Sequence, residues 1–166
     1  MRLALIAAAL IAAALLAAAP AMARDSLGIW NTWGAFADAG VPRCYAIAMA
    51  DTVEGRNNEF QPYFTVGTWP RRNARGEVHV RLSRRLGPGG TVTLSIAGER
   101  FSLVAGAADA WAQDRRMDAA IVAAMRSAGS MTITARASGG RGISDSYALA
   151  GAASAMDAAM LGCAQN

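Results

Sequence analysis

Lysine is absent from this chain of 166 residues, and all 16 of its basic residues are arginine. Histidine occurs once, at His79, and cysteine only twice, at Cys44 and Cys163. Each scarcity removes chemistry. A Ser-His-Asp triad would have to use His79, yet no G-x-S-x-G elbow is present. A zinc site would need further nitrogen or thiolate ligands. No C-x-x-C pair exists for redox exchange. The glycine run Gly87-Pro88-Gly89-Gly90 lacks a following lysine and precedes a predicted strand rather than a helix, so it is no phosphate cradle. Paired carboxylates remain conceivable, since any two acids can converge in space. The densest, Asp109, Asp114 and Asp118, precede or begin a predicted helix, where they meet its positive end. The residues therefore show no enzyme signature and imply neither metal nor cofactor.

What the chain does have begins at its N-terminus. Met1-Arg2 is a short positive start, and every residue from Leu3 to Ala19 is Leu, Ile or Ala. Pro20 follows, then Ala21-Met22-Ala23. Small side chains at Ala21 and Ala23 suit signal peptidase, so residues 1–23 read as a cleaved secretory signal peptide. The rival reading is an uncleaved anchor, because the apolar run approaches the lower limit for spanning a bilayer. Residues 24–166 are then expected to be one domain, periplasmic or secreted, with no stable membrane insertion after cleavage.

Without Arg2 that domain carries 15 arginines against 12 acids, a formal charge of +3. The arginines are spread among acids rather than forming a stripe with aromatics, which argues against nucleic acid as a partner. The tightest cluster, Arg71, Arg72 and Arg75, follows Trp69-Pro70 in a turn-like stretch. These four residues, Trp69 with the three arginines, form a possible contact patch, against the plainer reading of a solvated loop.

In an exported protein an even cysteine count suggests a disulfide, and two residues permit one pairing, Cys44 with Cys163. Closing so long a loop would contribute about 4–5 kcal/mol at most. It would also tie down a C-terminal end that otherwise frays. The alternative is two thiols that never meet.

Hydrophobic periodicity places the elements. Ile29 to Phe36 reads as a first strand, Asp38 to Pro42 as a turn, and Arg43 to Ala50 as a strand with small residues on one side. Asp51 to Pro62 reads as a loop and Tyr63 to Trp69 as a strand. Glu77 to Arg84 alternates between buried Val78, Val80 and Leu82 and a wet face carrying a solvated His79. Thr91 to Ile96 and Phe101 to Val104 form a hairpin across Ala97-Gly98-Glu99. The period becomes helical between Asp114 and Ser127, returns to alternation from Met131 to Ala137, and a last strand runs from Ile143 to Leu149. Beyond Gly151 an Ala-rich amphipathic helix delivers Cys163 to the core side. The expectation is a mainly β chain, an antiparallel immunoglobulin-like β-sandwich with one or two short helices late in the sequence.

Trp30 and Trp33 near the start of the domain, and Arg43-Cys44 opening an alternating strand, resemble the invasion-associated locus B family. So does the tail from Tyr147 to Ala158, where a hydrophobic strand passes through Gly151 into an Ala-rich helix with a Met156-Asp157 pair. The resemblance implies a bacterial periplasmic or secreted β-sandwich, linked in pathogens to host-cell entry, and it brings no catalytic residues. Family members often carry further cysteines in mid-domain, which this chain lacks. The functional expectation is a non-enzymatic domain binding an envelope protein or surface component through loops at the sandwich ends. The alternatives are an envelope hydrolase with an unrecognised carboxylate site and a carrier of a small apolar ligand.

Overall fold

The computed structural model describes residues 24–38, 40–53 and 58–164. The expected signal peptide, with Ala21 and Ala23, lies outside the described residues. The first six strands are β1 (Arg24–Trp30), β2 (Trp33–Asp38), β3 (Arg43–Met49), β4 (Thr52–Val53), β5 (Tyr63–Trp69) and β6 (Ala74–Arg81). Then come β7 (Val92–Ile96), β8 (Glu99–Ala105), β9 (Asp109–Trp111), α1 (Arg115–Ser127), β10 (Ser130–Arg136), β11 (Gly142–Ala148) and α2 (Ala152–Ala164). A 3-10 turn at Pro70–Arg72 joins β5 to β6.

The strands form one 11-stranded sheet in the order β1-β2-β3-β5-β6-β9-β8-β7-β10-β11-β4, with every pairing antiparallel. The mainly β class with two late helices is as expected. The ladders do not establish the immunoglobulin-like detail: β8 pairs with β7 through Glu99–Leu103 and with β9 through Val104–Ala105, so this strand passes from one ladder to the next.

Several boundaries differ from the sequence reading for local reasons. The expected first strand is a hairpin, because Asn31 takes a φ of 54° and turns the chain between Trp30 and Trp33. Asparagine tolerates that left-handed conformation better than most residues. The expected loop after Asp51 contains β4, whose two residues pair with Asp145 and Ser146. The expected hairpin at Ala97-Gly98 is present, with both residues at positive φ, the conformation of a two-residue type I′ turn.

Alternation sends one face of each strand inward. Trp33, Ala46, Phe64, Val78, Val80, Leu94, Ile133 and Tyr147 are buried and belong to one continuous core. Phe64 sits edge-on to both Trp33 and Tyr147, with ring centroids 6.3 and 6.0 Å apart, so rings from β2, β5 and β11 meet at the centre. The Trp33 indole donates to the Ala148 carbonyl at 2.8 Å, joining β2 to β11.

The small residues on β3 have a clear use. Cys44, Ala46 and Ala48 face inward, and α2 lies against β1, β2, β3 and β5 with Ala152, Ala155 and Ala159 buried. Alanine on both surfaces lets helix and sheet approach closely. Cys44 and Cys163 are disulfide-bonded there, with their Cα atoms 5.6 Å apart. α1 starts at Asp114, whose carboxylate caps the Met117 N–H at 2.8 Å. Asp118, one turn on, accepts the Val78 N–H at 2.8 Å and so pins α1 to β6. Burial pushes the Asp118 carboxyl above its ordinary value, outweighing the opposite pull of that N–H.

Candidate functional site

The strand faces that point away from the core are not uniformly hydrophilic. On β3 the outward residues are Arg43, Tyr45, Ile47 and Met49. On β5 they are Tyr63, Thr65, Gly67 and Trp69, and on β6 Glu77, His79 and Arg81. Antiparallel register aligns Ile47, Thr65, His79 and Trp111 in one row across β3, β5, β6 and β9. The next row aligns Phe36, Tyr45, Gly67 and Glu77. Large apolar side chains are exposed on this face too, with Ile29 70%, Met49 50% and Trp111 38% accessible.

A groove of about 530 Å³ runs along the face. Gly67 makes its floor. A Cβ there would meet the Trp69 indole nitrogen at 3.4 Å, so the missing side chain leaves the hollow over which Trp69 leans. At one end the Arg43 guanidinium lies over two rings, 4.7 Å from the Tyr45 centroid and 5.3 Å from that of Trp69. Its Nε donates to Asp38 at 2.7 Å, which orients the fork. Arg24 also approaches Asp38, at 3.4 Å. Arg72 stacks on Trp69 at 5.3 Å and pairs with Glu77 at 3.7 Å. Burial, reinforced by Asp38, raises the Tyr45 phenol above its ordinary value despite Arg24 and Arg43, so it stays uncharged.

The other end is built around the single histidine. His79 Nε2 lies 2.9 Å from Asp109, whose second oxygen accepts from Arg81 at 2.6 Å. Tyr63 meets the imidazole edge-on at 5.7 Å and Trp111 lies over it at 5.3 Å. The Trp111 ring also packs against Gly106, where a Cβ would come within 2.8 Å of it. The expectation of a solvated His79 is therefore corrected: ring contacts and the hydrogen bond with Asp109 hold it at 24% side-chain exposure. Asp109 likewise does not serve the helix. It sits on β9, a strand too short to show a period.

Of the sequence-derived contact patch, the structure brings Trp69 and Arg72 into the groove. Arg71 points instead to a hollow beside Asp38 and Cys44, and Arg75 to one bordered by Met160 and Ala164 of α2. The 3-10 turn sends Arg71 and Arg72 to different sides, and Arg75 lies beyond it on β6. The groove residues missed in the sequence were Arg43, Tyr45, His79, Asp109 and Trp111. The alternation that hid one face of β3 and β6 also set Arg43, Tyr45 and His79 on the other, but only register shows that they share a face with Trp111 of β9.

The loops at one sheet end offer less. A hollow of about 640 Å³ between the turns Gly87–Gly90 and Gly139–Gly142 is walled mainly by glycine, threonine and alanine, with Arg136 the one charged side chain lining it among the described residues. A second polar cluster is internal. Asp145 is fully buried and accepts the Ser83 N–H at 3.1 Å. Burial raises its carboxyl, opposed by Ser83 and by the charge of Arg84. The buried Tyr147 hydroxyl is pushed far up by burial, with Asp145 and Asp51 adding to it. Among the described residues no helix is long and apolar enough to cross a membrane, and no three acidic, histidine or cysteine side chains form a metal-holding group.

No curated protein and no solved structure matches this chain. A family model described as "Invasion associated locus B (IalB) protein" matches residues 37–160. That span runs from within β2 into α2, covering most of the core, β3 with Cys44, α2 up to Met160, and the groove from Arg43 to Trp111. Together with the Arg43-Cys44 strand and the Gly151-to-helix tail, this match establishes that the chain belongs to the invasion associated locus B family.

Proposed function

We propose that this protein is an exported, non-enzymatic binding domain, periplasmic or secreted, that holds an envelope component on its outer sheet face. The observation that carries this reading is Arg43, stacked over Tyr45 and Trp69 and steered by Asp38 while lining the groove. A solvated arginine gains little from being fixed in this way, whereas a recognition residue gains pre-organisation. Exposed apolar side chains clustered on one face point the same way. The disulfide fits an oxidising compartment. The reading moves recognition from the end loops to the sheet face, because the hollow between the β6–β7 and β10–β11 turns is walled mainly by glycine, threonine and alanine.

A hydrolase is the second reading, favoured by the His79–Asp109 pair. Such an enzyme would need a nucleophile in reach of the imidazole. Among the described residues, no hydroxyl or thiol hydrogen-bonds to the His79 ring, and Thr65 donates instead to the His79 backbone carbonyl at 3.3 Å.

A photo-crosslinking amino acid placed at Met49, on the groove face, and separately at Ala119, on α1, tests the proposal in living cells. Position 49 is expected to yield a discrete envelope adduct and position 119 none. Equal labelling from both positions overturns it, as does turnover of a cell-wall or ester substrate that disappears in H79A.

A further inference from the structure

The two ends of the groove differ in chemistry, and the difference selects a ligand class. At one end, among the described residues, Arg24, Arg43 and Arg72 pair with Asp38 and Glu77, three guanidiniums against two carboxylates, so one positive charge is in excess. Arg43 uses its Nε on Asp38 and meets the Tyr45 hydroxyl, so its guanidinium is held in place with its remaining N–H groups able to donate to a planar anion. At the other end Asp109 is balanced by Arg81 and hydrogen-bonded with His79, and the surfaces on offer are the rings of Tyr63, His79 and Trp111. The groove is thus cationic at one end and aromatic at the other.

Its backbone offers nothing. β3 and β5 are interior strands with ladders on both sides, and β6 is laddered to β5 on one side and to β9 over His79–Arg81 on the other, while its Val78 N–H is taken by Asp118. A peptide laid here would find no main-chain partners for its own amides, each costly to bury unmatched. A sugar asks for what is present: flat rings for its C–H faces, charged and hydroxyl side chains for its hydroxyls. From Ile47 on β3 to Trp111 on β9 the groove crosses three strand spacings, about 14 Å, enough for a short oligosaccharide. The Gly67 hollow gives a ring room between Tyr45 and Glu77.

We infer that the groove binds an acidic saccharide, its carboxylate on the Arg43 fork with Arg24 and Arg72 beside it, and a neighbouring sugar ring against Trp111 and Tyr63. This rests on the binding reading above and gives it a ligand class.

The test uses the protein purified from the envelope of a producing bacterium, with calorimetry and saturation-transfer NMR. The probes are tri-galacturonic acid, N-acetylglucosaminyl-N-acetylmuramic acid, the carboxyl-reduced form of each, and tetraglutamate. At least one acidic sugar is expected to bind, with its reduced form weaker by roughly tenfold or more, and which one binds distinguishes a uronic acid from a cell-wall source. R43K, which keeps the charge and loses the fork, and W111A are each expected to weaken binding to a similar degree. R72Q, at a largely exposed position that leaves the core untouched, is expected to weaken it less. Absence of binding by both acidic sugars overturns the inference, as does equal binding of a reduced form, equal affinity for tetraglutamate, or indifference to all three substitutions. If sugars fail while crosslinking at position 49 remains face-specific, the ligand class falls and the binding domain stands. If both fail, both fall.

Discussion

Cys163, in the last turn of α2, is bonded to Cys44, the second residue of β3, across a sequence separation of 119. The bridge fastens a helix that otherwise holds the sheet mainly through alanine contacts. Alanine buries little area per residue, so close approach yields less hydrophobic stabilisation than a leucine-rich helix would. Replacing both cysteines (C44A with C163A) is therefore expected to cost about 2–5 kcal/mol, the upper end set by loop entropy. Urea unfolding of the two proteins checks this. Coincident midpoints would show that α2 needs no staple.

Gly151 has a φ of 89°, and a Cβ at this position would overlap the Trp30 carbonyl. The end of the β1–β2 hairpin thus rests directly on the backbone that leads into α2. G151A combines a strained conformation with a backbone clash and is expected to cost more than about 3 kcal/mol. Gly129 has nothing within 4 Å of a built Cβ, so G129A should stay within about 0.5 kcal/mol of the parent. Equal melting temperatures for the two variants would contradict this account.

How much of this was visible in the sequence depends on how far apart the partners are. Val78 and Val80 on one side and His79 on the other follow from period two within a single strand. Helix α1 was legible from Met117, Ile121 and Met125 at helical spacing, and the disulfide from a count of two. The hairpin at Asn31 was not, because a two-residue turn without glycine carries no strong signal. The groove was invisible for a deeper reason: alternation assigns a residue to a face but says nothing about which strand lies beside it. His79 and Asp109 are 30 residues apart and meet only because β9 inserts between β6 and β8.

Ala97 holds a φ of 50° at the exposed first position of the β7–β8 turn, where asparagine is favoured over alanine. The left-handed conformation costs an L-residue with a Cβ roughly 1–2 kcal/mol, less for asparagine. A97N is expected to stabilise the fold by roughly 0.5–1 kcal/mol, seen as a higher thermal midpoint. A lower midpoint would mean that the turn does not have this geometry in solution.

Asp145 offers a pH test with a definite sign. Burial raises its carboxyl above the unfolded value of about 3.9, so in the interval above that value the native state still holds a proton that the unfolded chain has lost. With more protons on the native side, unfolding free energy falls as pH rises through that interval, then levels off above the raised native value. Asn cannot titrate, and in D145N its amide oxygen can still accept the Ser83 N–H. All other groups are common to both proteins and cancel in the difference. The stability of the parent minus that of D145N should therefore shrink as pH is raised from about 3.5 towards 6.5, measured by urea unfolding at each pH. A flat difference would show that Asp145 titrates alike in both states. A difference that grows with pH would mean that the positive charge of Arg84, rather than desolvation, governs this carboxylate.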